Sequence, residues 1–276
     1  MRAPDTGPQD LALLTEAARG AGKIAARHFR QCPKVWDKGD GQGPVTEADL
    51  EVNDFLHATL TAARADYGWL SEESDPLNAT ARLHAEATFV IDPIDGTRAF
   101  IDGQNGFAHA LAVVRGGVPV AGAVFLPMLD MMYTAQLGGG AWLNGEPIRA
   151  SNPTEPAQAS VLAAKPAFEP RHWPHGVPPV ARHFRPSLAW RLALVAQGRF
   201  DAMLTIRDVW DWDIAASALI ATEAGASVTN RSGGPLRFNG EGAMNPGVVA
   251  AGAGLHQVLI GGLSPRTDPP AKGDGR

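Results

Sequence analysis

The feature that most constrains this chain is a nine-residue stretch in which an apolar run leads directly into a turn with two acids. Residues 89–91 are apolar and typical of a buried strand. Asp92 and Asp95 follow three positions apart, and Gly96 and Thr97 come directly after them. Functional side chains are concentrated in loops that a rigid scaffold positions. We therefore predict that this turn holds divalent metal ions and a phosphate.

Asp92 and Asp95 can converge on one ion only if the chain turns sharply after the strand. The turn would then offer two carboxylates and a backbone carbonyl, a ligand set that suits a hard cation such as Mg²⁺. Backbone N–H groups of Gly96 and Thr97, at the start of the next element, would favour an anion. Taken alone, such an acid pair is better explained by turn capping. The neighbouring residues and more distant acids favour a site for phosphoryl hydrolysis.

Two further acids, Glu72 and Asp213, lie at the edges of apolar segments rather than in solvated charge runs. Asp213 precedes a run of small residues that predicts a helix packed closely on a sheet, although an acid in that position is often only a helix cap. Glu73 and Asp211 are rival candidates, and spacing alone does not choose between the members of each pair.

Composition sets the class of protein and its partners. The net charge of −5 argues against binding to nucleic-acid polymers. No apolar run approaches the roughly 20 residues of a membrane span, and no apolar leader opens the chain, so we expect a cytoplasmic protein. A shift to Ser, Asn, Pro and Thr near residue 150 predicts two halves, 1–150 and 151–263, with most metal ligands in the first and Asp213 in the second. Residues 264–276 have the composition of a disordered tail.

Four segments in this order resemble the inositol monophosphatase family, and the resemblance covers about residues 10 to 260. They are Pro44-Val45-Thr46-Glu47-Ala48-Asp49, Ser71-Glu72-Glu73-Ser74, Asp92-Pro93-Ile94-Asp95-Gly96-Thr97 and Trp212-Asp213-Ile214-Ala215-Ala216-Ser217. Ser217 departs from the family pattern, which has glycine there, but a small residue still fits. The resemblance implies an α/β fold, a layered αβαβα sandwich with an antiparallel sheet under two helices in the first half and a smaller mixed unit in the second.

The resemblance also implies an Mg²⁺-dependent, lithium-sensitive phosphomonoesterase with two metal ions, or three. Glu72, Asp92 and the carbonyl of Ile94 would bind the first ion. Asp92, Asp95 and Asp213 would bind the second, so that Asp92 bridges the two. A weaker third ion would lie near Glu72 with waters.

The remaining roles implied by the resemblance concern the attacking water and the phosphate. Thr97 would orient the water, with Asp49 behind it as an activating partner, and Glu72 would act with them. The amides of Gly96 and Thr97 would hold the phosphate, and Lys38, near the metals, would also bind the phosphate. The implied mechanism is in-line attack on phosphorus without a phosphoenzyme.

The substrate is expected to be a small phosphorylated metabolite or a nucleotide. Arg191 stands where 3'(2'),5'-bisphosphate nucleotidases have a lysine, and it could contact a second phosphate of 3'-phosphoadenosine 5'-phosphate, which makes that activity our first expectation. An exposed position on a helix is an equally good explanation of Arg191. The alternatives are an inositol-1-monophosphatase, a histidinol-phosphatase and, in another class, a non-catalytic regulatory protein that binds metal and phosphate. The resemblance is compatible with a homodimer.

Overall fold

The computed structural model describes residues 7–39, 43–74, 76–153 and 155–265, so most of the predicted tail, 266–276, lies outside the described residues. The α-helices in these ranges are α1 Gly7–His28, α2 Glu47–Ala63, α3 Thr97–Ile101, α4 Leu188–Ala196, α5 Asp211–Glu223 and α6 Ala253–Gly262. The strands of the first half are β1 Val35–Asp37, β2 Pro44–Thr46, β3 Gly68–Ser71, β4 Thr88–Asp95, β5 Ala108–Arg115, β6 Val118–Leu126, β7 Met131–Gln136, β8 Ala141–Leu143 and β9 Glu146–Pro147. The later strands are β10 Ser160–Ala163, β11 Ala181–His183, β12 Ala202–Thr205, β13 Val209–Trp210, β14 Ser227–Thr229, β15 Met244–Asn245 and β16 Val248–Ala251.

The larger sheet has seven strands in the order β3-β4-β5-β6-β7-β8-β9. Its strands pair antiparallel except at one edge, where β3 and β4 are parallel. The expectation of a purely antiparallel sheet is therefore wrong at this edge. The chain from the end of β3 passes through a 3₁₀ helix, Pro76–Leu83, and enters β4 from the same side, and a crossover of this kind produces parallel strands.

The smaller sheet is mixed, in the order β11-β10-β12-β16-β14. Helices α1 and α2 cover one face of the larger sheet, α4 and α5 lie between the two sheets, and α6 covers the outer face of the smaller sheet. The order of layers is αβαβα, as the resemblance implies. No helix within the described ranges is long and apolar enough to span a membrane.

Burial explains the apolar run that precedes the two acids. All eight residues of β4 are buried, because helices cover both faces of the sheet there. Val90 belongs to the core that includes α4 and α5, whereas Ile91 belongs to the core that includes α1 and α2. Residues 89–91 lie between two helical layers, so the side chains on both faces are apolar and the usual alternation is absent from this part of the strand.

Helix α5 lies unusually close to the sheet, and this closeness positions the first turn of the helix. A Cβ atom on Gly122 of β6 would lie 2.9 Å from the carbonyl oxygen of Ala216, so only glycine fits without displacing the helix. Ala215 and Ala216 are buried and keep the contact surface of α5 small. The small residues after Asp213 thus bring the start of α5 down onto the layer that contains the end of β4.

Candidate metal and phosphate site

Asp92, Asp95 and Asp213 form a compact acidic cluster at the end of β4 and the first turn of α5. Each offers one carboxylate oxygen, and these three atoms all lie within 4.8 Å of one another. Oδ1 of Asp92 is buried and has no hydrogen-bond partner within the described part of the chain. Burial, and then the neighbouring carboxylates, raise the pKa of Asp92 and of Asp213 well above the ordinary value. A hard cation would satisfy the unpaired oxygen and remove the repulsion, so this donor set fits Mg²⁺.

A β-bulge explains how the carboxylates of two acids three positions apart come to lie on the same side of the sheet. Asp92 pairs with Ala110 and Asp95 pairs with Ala108, so two residues of β4 lie opposite the single residue His109. In a regular strand, positions three apart would point to opposite faces of the sheet, whereas the extra residue returns them to one side. Gly96 then adopts a φ of 100°, which turns the chain into α3.

Glu72 reaches the same site from the neighbouring strand. Because β3 is parallel to β4, Ser71 pairs with Ile91, and the N–H of Glu72 donates to the Ile91 carbonyl at 3.2 Å. The Glu72 carboxylate is the second cause, after burial, of the raised pKa of Asp92. The parallel pairing of β3 with β4 therefore places Glu72, just after β3, beside Asp92 of β4.

A cavity of about 340 Å³ is lined by most of the residues predicted for the site, and it is called the metal cavity below because the acidic cluster forms part of its wall. The predicted residues that line it are Glu72, Asp92, Ile94, Asp95, Gly96, Thr97, Arg191 and Asp213. Lys38 and Asp49 are absent from this lining, but each contacts a residue that belongs to it.

Thr97 and Asp49 form a hydrogen-bonded pair at the edge of the cavity. The Thr97 hydroxyl lies 3.3 Å from Oδ1 of Asp49 and 3.1 Å from the carbonyl oxygen of Ile94. Oδ2 of Asp49 accepts from the N–H and the hydroxyl of Thr46, the cap of α2. Burial raises the pKa of Asp49 to about 6, although the bonds from Thr46 oppose the rise. The capping box of α2 thus orients the carboxylate that contacts Thr97.

Lys38 bridges the adjacent acids Glu72 and Glu73. Its Nζ donates to Oε1 of Glu72 at 2.9 Å and to Oε1 of Glu73 at 2.6 Å. Burial lowers the pKa of Lys38, but the two carboxylates outweigh it and the net shift is upward. Burial raises the pKa of Glu73 to about 7. Glu72 lines the cavity, whereas Glu73 is not part of its lining, and spacing could not distinguish the two.

Asp211 is engaged elsewhere. Its two carboxylate oxygens accept from the backbone N–H of Asn239 at 2.7 Å and from Nδ2 of Asn245 at 2.8 Å. Burial raises its pKa to about 6, and these two bonds oppose the rise. Asp211 thus anchors the 239–245 loop to the start of α5, while Asp213, two residues later, faces the cavity.

Ser187 is a site residue that the sequence reasoning missed. Its hydroxyl donates to Oδ2 of Asp95 at 2.6 Å, and the same oxygen accepts from the N–H of Ala189 at 2.6 Å. One oxygen of Asp95 therefore accepts two hydrogen bonds at the start of α4 and ties the end of β4 to that helix. Burial raises the pKa of Asp95 to about 6, although the hydrogen bonds from Ser187 and Ala189 act to lower it. The serine before the apolar helix is a capping signal that could have identified Ser187.

Arg191 is buried, so its interpretation as an exposed helix residue is wrong. Its guanidinium lies 4.4 Å from the ring centroid of Phe184, and it donates to the backbone carbonyls of Arg185 and Pro186. Burial lowers its pKa to about 10. Arg191 lines both the metal cavity and an adjacent cleft of about 1,100 Å³.

The adjacent cleft is rich in arginine side chains. Its lining includes four arginines, which are Arg98, Arg185, Arg191 and Arg207. Arg207 also lines the metal cavity, and the sequence reasoning assigned it no role. An acidic chain thus presents a local group of positive charges beside the site, on the side from which a substrate can enter.

The chain is similar in sequence to known proteins over most of its length. The model of the inositol monophosphatase family matches residues 9–265. An inositol-1-monophosphatase of Rhizobium meliloti is 34% identical over 81% of this chain and 86% of its own length. The 3'(2'),5'-bisphosphate nucleotidase CysQ of Aggregatibacter actinomycetemcomitans is 31% identical over 86% of this chain and 90% of its own length.

Solved structures have the same fold. The extragenic suppressor protein suhB of Bartonella henselae superposes with a TM-score of 0.79 at 27% identity and covers 92% of this chain and 98% of its own. The Thermotoga maritima IMPase superposes with a TM-score of 0.77 at 26% identity, covering 92% and 96%. This chain therefore belongs to the inositol monophosphatase family and is a metal-dependent phosphoric monoester hydrolase.

Proposed function

We propose that the chain hydrolyses a polyol monophosphate of the inositol 1-phosphate type, with Mg²⁺ held by the acidic cluster. The observation that supports the metal site is the buried, unpartnered Oδ1 of Asp92, which lies among the carboxylates of Asp95 and Asp213. Glu72 and the carbonyl of Ile94 complete the proposed ligand set. When bound, Mg²⁺ would lower the pKa of a bound water and stabilise negative charge on the phosphate and leaving oxygens.

Thr97 and Asp49 are the proposed route for the proton of the attacking water. The Thr97 hydroxyl can donate to Oδ1 of Asp49 and accept from a water in the cavity. As the water oxygen bonds to phosphorus and the ester P–O bond breaks, its proton passes to Thr97, and the Thr97 proton passes to Asp49. Solvent in the open cleft protonates the departing alkoxide.

Gly96 and Thr97 are proposed to hold the phosphate through their backbone N–H groups. Both residues line the metal cavity and the adjacent cleft, at the point where β4 turns into α3. Lys38 is proposed to balance the charge of Glu72 and Glu73 rather than to contact the phosphate, because both acids already accept its hydrogen bonds.

The choice of substrate rests on the named relatives. Inositol monophosphatases of several organisms are 28–34% identical to this chain, and the bisphosphate nucleotidase is 31% identical. The names thus favour inositol 1-phosphate over the bisphosphate nucleotide that Arg191 first indicated. A bisphosphate nucleotide is the second candidate, because Arg191 and Arg207 line both cavities and could bind a second phosphate.

A comparison of kcat/KM for inositol 1-phosphate, 3'-phosphoadenosine 5'-phosphate and histidinol phosphate, each with Mg²⁺, tests the proposal. We expect inositol 1-phosphate to be the best of the three. An Arg207→Gln variant sharpens the comparison, because loss of a cation should weaken the use of a bisphosphate more than that of a monophosphate. A preference for the bisphosphate that Arg207→Gln selectively removes would overturn the proposal in favour of the second candidate.

A further inference from the structure

His109 is the residue of β5 that lies opposite the bulge in β4. The ladder pairs Ala110 with Asp92 and Ala108 with Asp95, so Pro93 and Ile94 share His109 as their only counterpart in the ladder. The side chain of His109 is fully buried, and a ring nitrogen, Nδ1, contacts the carbonyl oxygen of Pro93.

The chemistry of this contact fixes the tautomer of the imidazole. A carbonyl oxygen can only accept, so Nδ1 must have the proton and donate it to Pro93. Nε2 is then an acceptor, and it is buried without a partner among the described residues. Protonation would place a second N–H and a charge in this apolar position, and burial accordingly lowers the pKa of His109 to about 4.

The bulge explains why the Pro93 carbonyl needs a side-chain donor. An extra residue in one strand interrupts the ladder, and a buried carbonyl without a partner is costly. Proline has no N–H of its own with which to rebuild the ladder at this position. The Ile94 carbonyl oxygen lies 3.1 Å from the Thr97 hydroxyl, which has a single proton and can donate it either to Ile94 or to Asp49. His109 is thus the side-chain donor for the Pro93 carbonyl, whereas the Ile94 carbonyl shares its donor with Asp49.

The imidazole is also restrained by its neighbours. Its ring centroid lies 6.2 Å from that of Phe107, at 79° between planes, and 6.4 Å from that of Phe125. Both phenylalanines belong to the core between the large sheet and the α1 and α2 layer. The ring is therefore held on the opposite face of the sheet from α5, directly behind the acids.

We propose that His109 is a positioning residue of the metal site, which sets the shape of the bulge through the Pro93 carbonyl. The bulge in turn fixes the relative placement of Asp92, the Ile94 carbonyl and Asp95. This inference rests on the proposed metal site and goes beyond it, because His109 itself contacts neither the metal nor the substrate. A purely space-filling role would make any apolar side chain of similar volume an adequate replacement.

Three substitutions separate these roles. His109→Leu keeps most of the volume and removes the donor. His109→Asn can place an amide nitrogen close to the position of Nδ1, whereas His109→Gln extends its amide towards the position of Nε2. If His109 is a positioning residue, His109→Asn should keep metal binding and activity close to those of the wild type, whereas His109→Leu and His109→Gln should lower both.

The measurement is Mg²⁺ and Mn²⁺ binding by calorimetry without substrate, together with kcat and KM for the best substrate. We expect His109→Leu and His109→Gln to weaken metal binding about 10- to 100-fold, as is typical for residues that support metal ligands, and to lower kcat more than they raise KM. His109→Asn should stay within about threefold of the wild type.

Val113→Ala is the matched control, since Val113 lies on the same strand and in the same core but pairs with Phe89, away from the bulge. It should lower the thermal stability and leave metal binding unchanged. Wild-type metal affinity in His109→Leu, or equal losses in the Asn and Gln variants, would overturn the inference. If His109→Leu does not fold, the comparison of metal binding between His109→Asn and His109→Gln still tests the inference. Failure of the wild type to bind either metal would instead overturn the proposed metal site.

Discussion

The hydroxyl of Thr97 lies 3.3 Å from Oδ1 of Asp49, a residue 48 positions earlier in the chain. Asp49 owes its orientation to the capping box of α2, in which Thr46 donates twice to the other carboxylate oxygen. A local helix-capping motif thus supplies one end of the proposed proton route, and β4 followed by its glycine turn supplies the other.

The first prediction concerns this pair. Asp49→Asn keeps an oxygen acceptor but cannot take up a proton, so we expect kcat to fall about 10²- to 10⁴-fold, with small changes in KM and in Mg²⁺ affinity. Steady-state kinetics and calorimetry measure the three quantities. Asp54→Asn, the same change at an exposed position of α2, is the control and should behave as the wild type.

The second prediction concerns the acidic cluster in the absence of metal. Asp213→Asn removes one of three mutually repelling carboxylates, so the metal-free variant should have a higher Tm than the metal-free wild type. Mg²⁺ should raise the Tm of the wild type more than that of the variant, which keeps the other proposed ligands Glu72, Asp92 and the Ile94 carbonyl but should lose phosphatase activity. Thermal unfolding with and without a chelator measures this. A Mg²⁺-induced rise of equal size in the variant would show that Asp213 is not a ligand.

The third prediction separates Asp211 from Asp213. Asp211→Ala leaves the N–H of Asn239 without its acceptor and removes one of the two acceptors of the Asn245 amide, so the free energy of unfolding should fall by about 1–3 kcal/mol. The folded variant should still bind Mg²⁺ with the wild-type stoichiometry. Denaturant unfolding and calorimetry on the same preparation test both statements. Loss of metal binding in a fully folded Asp211→Ala sample would contradict the assignment.

The fourth prediction concerns the pH dependence of stability. The pKa of His109 is about 4 in the folded chain, against about 6.5 for an unfolded histidine. Between these values the unfolded chain binds a proton that the folded chain does not, so His109 makes the protein less stable as the pH falls from about 6.5 to about 4. The contribution reaches about 3 kcal/mol at most and is absent above pH 7.

Buried carboxyl groups with raised pKa values, such as Asp49 and Glu73, act in the opposite direction over part of this range. The measurement is therefore the difference between the wild type and His109→Asn in the free energy of unfolding, followed from pH 8 to pH 4. The wild type should lose stability relative to the variant as the pH falls. Parallel curves would mean that His109 titrates normally or that its ring is hydrated.

Much of the site could be read from local patterns because its residues occur in short segments. The apolar residues 89–91 predicted strand β4 and Gly96 predicted the turn that ends it, but the expectation that this turn brings the two acids together is wrong, because both acids lie within the strand and converge through the bulge. Thr46 and Asp49, three positions apart, form the capping box at the start of α2, a pattern of residue type and spacing that is visible in the sequence. These features depend on interactions between residues a few positions apart, which a single sequence contains.

Contacts between distant segments were beyond such patterns. The parallel pairing of β3 with β4, which puts Glu72 beside Asp92, depends on a crossover whose direction no local signal specifies. Ser187 and Arg207 reach the site only because α4 and the chain after β12 pack against the first half. The sequence also did not show whether Asp211 or Asp213 faces the cavity. In the structure Asn239 and Asn245 donate hydrogen bonds to Asp211, and Asp213 lines the cavity.

The sequence by itself indicated the family and the acids Asp92, Asp95 and Asp213 of the candidate metal site, because these follow from residue type and spacing. Only the tertiary structure decided which of each acid pair faces the cavity and how Asp92 and Asp95 converge. The physical reason is that a carboxylate's role depends on the partners around it. The bulge opposite His109, the close approach of α5 at Gly122 and the hydrogen bonds from the start of α4 to Asp95 all join residues far apart in the chain.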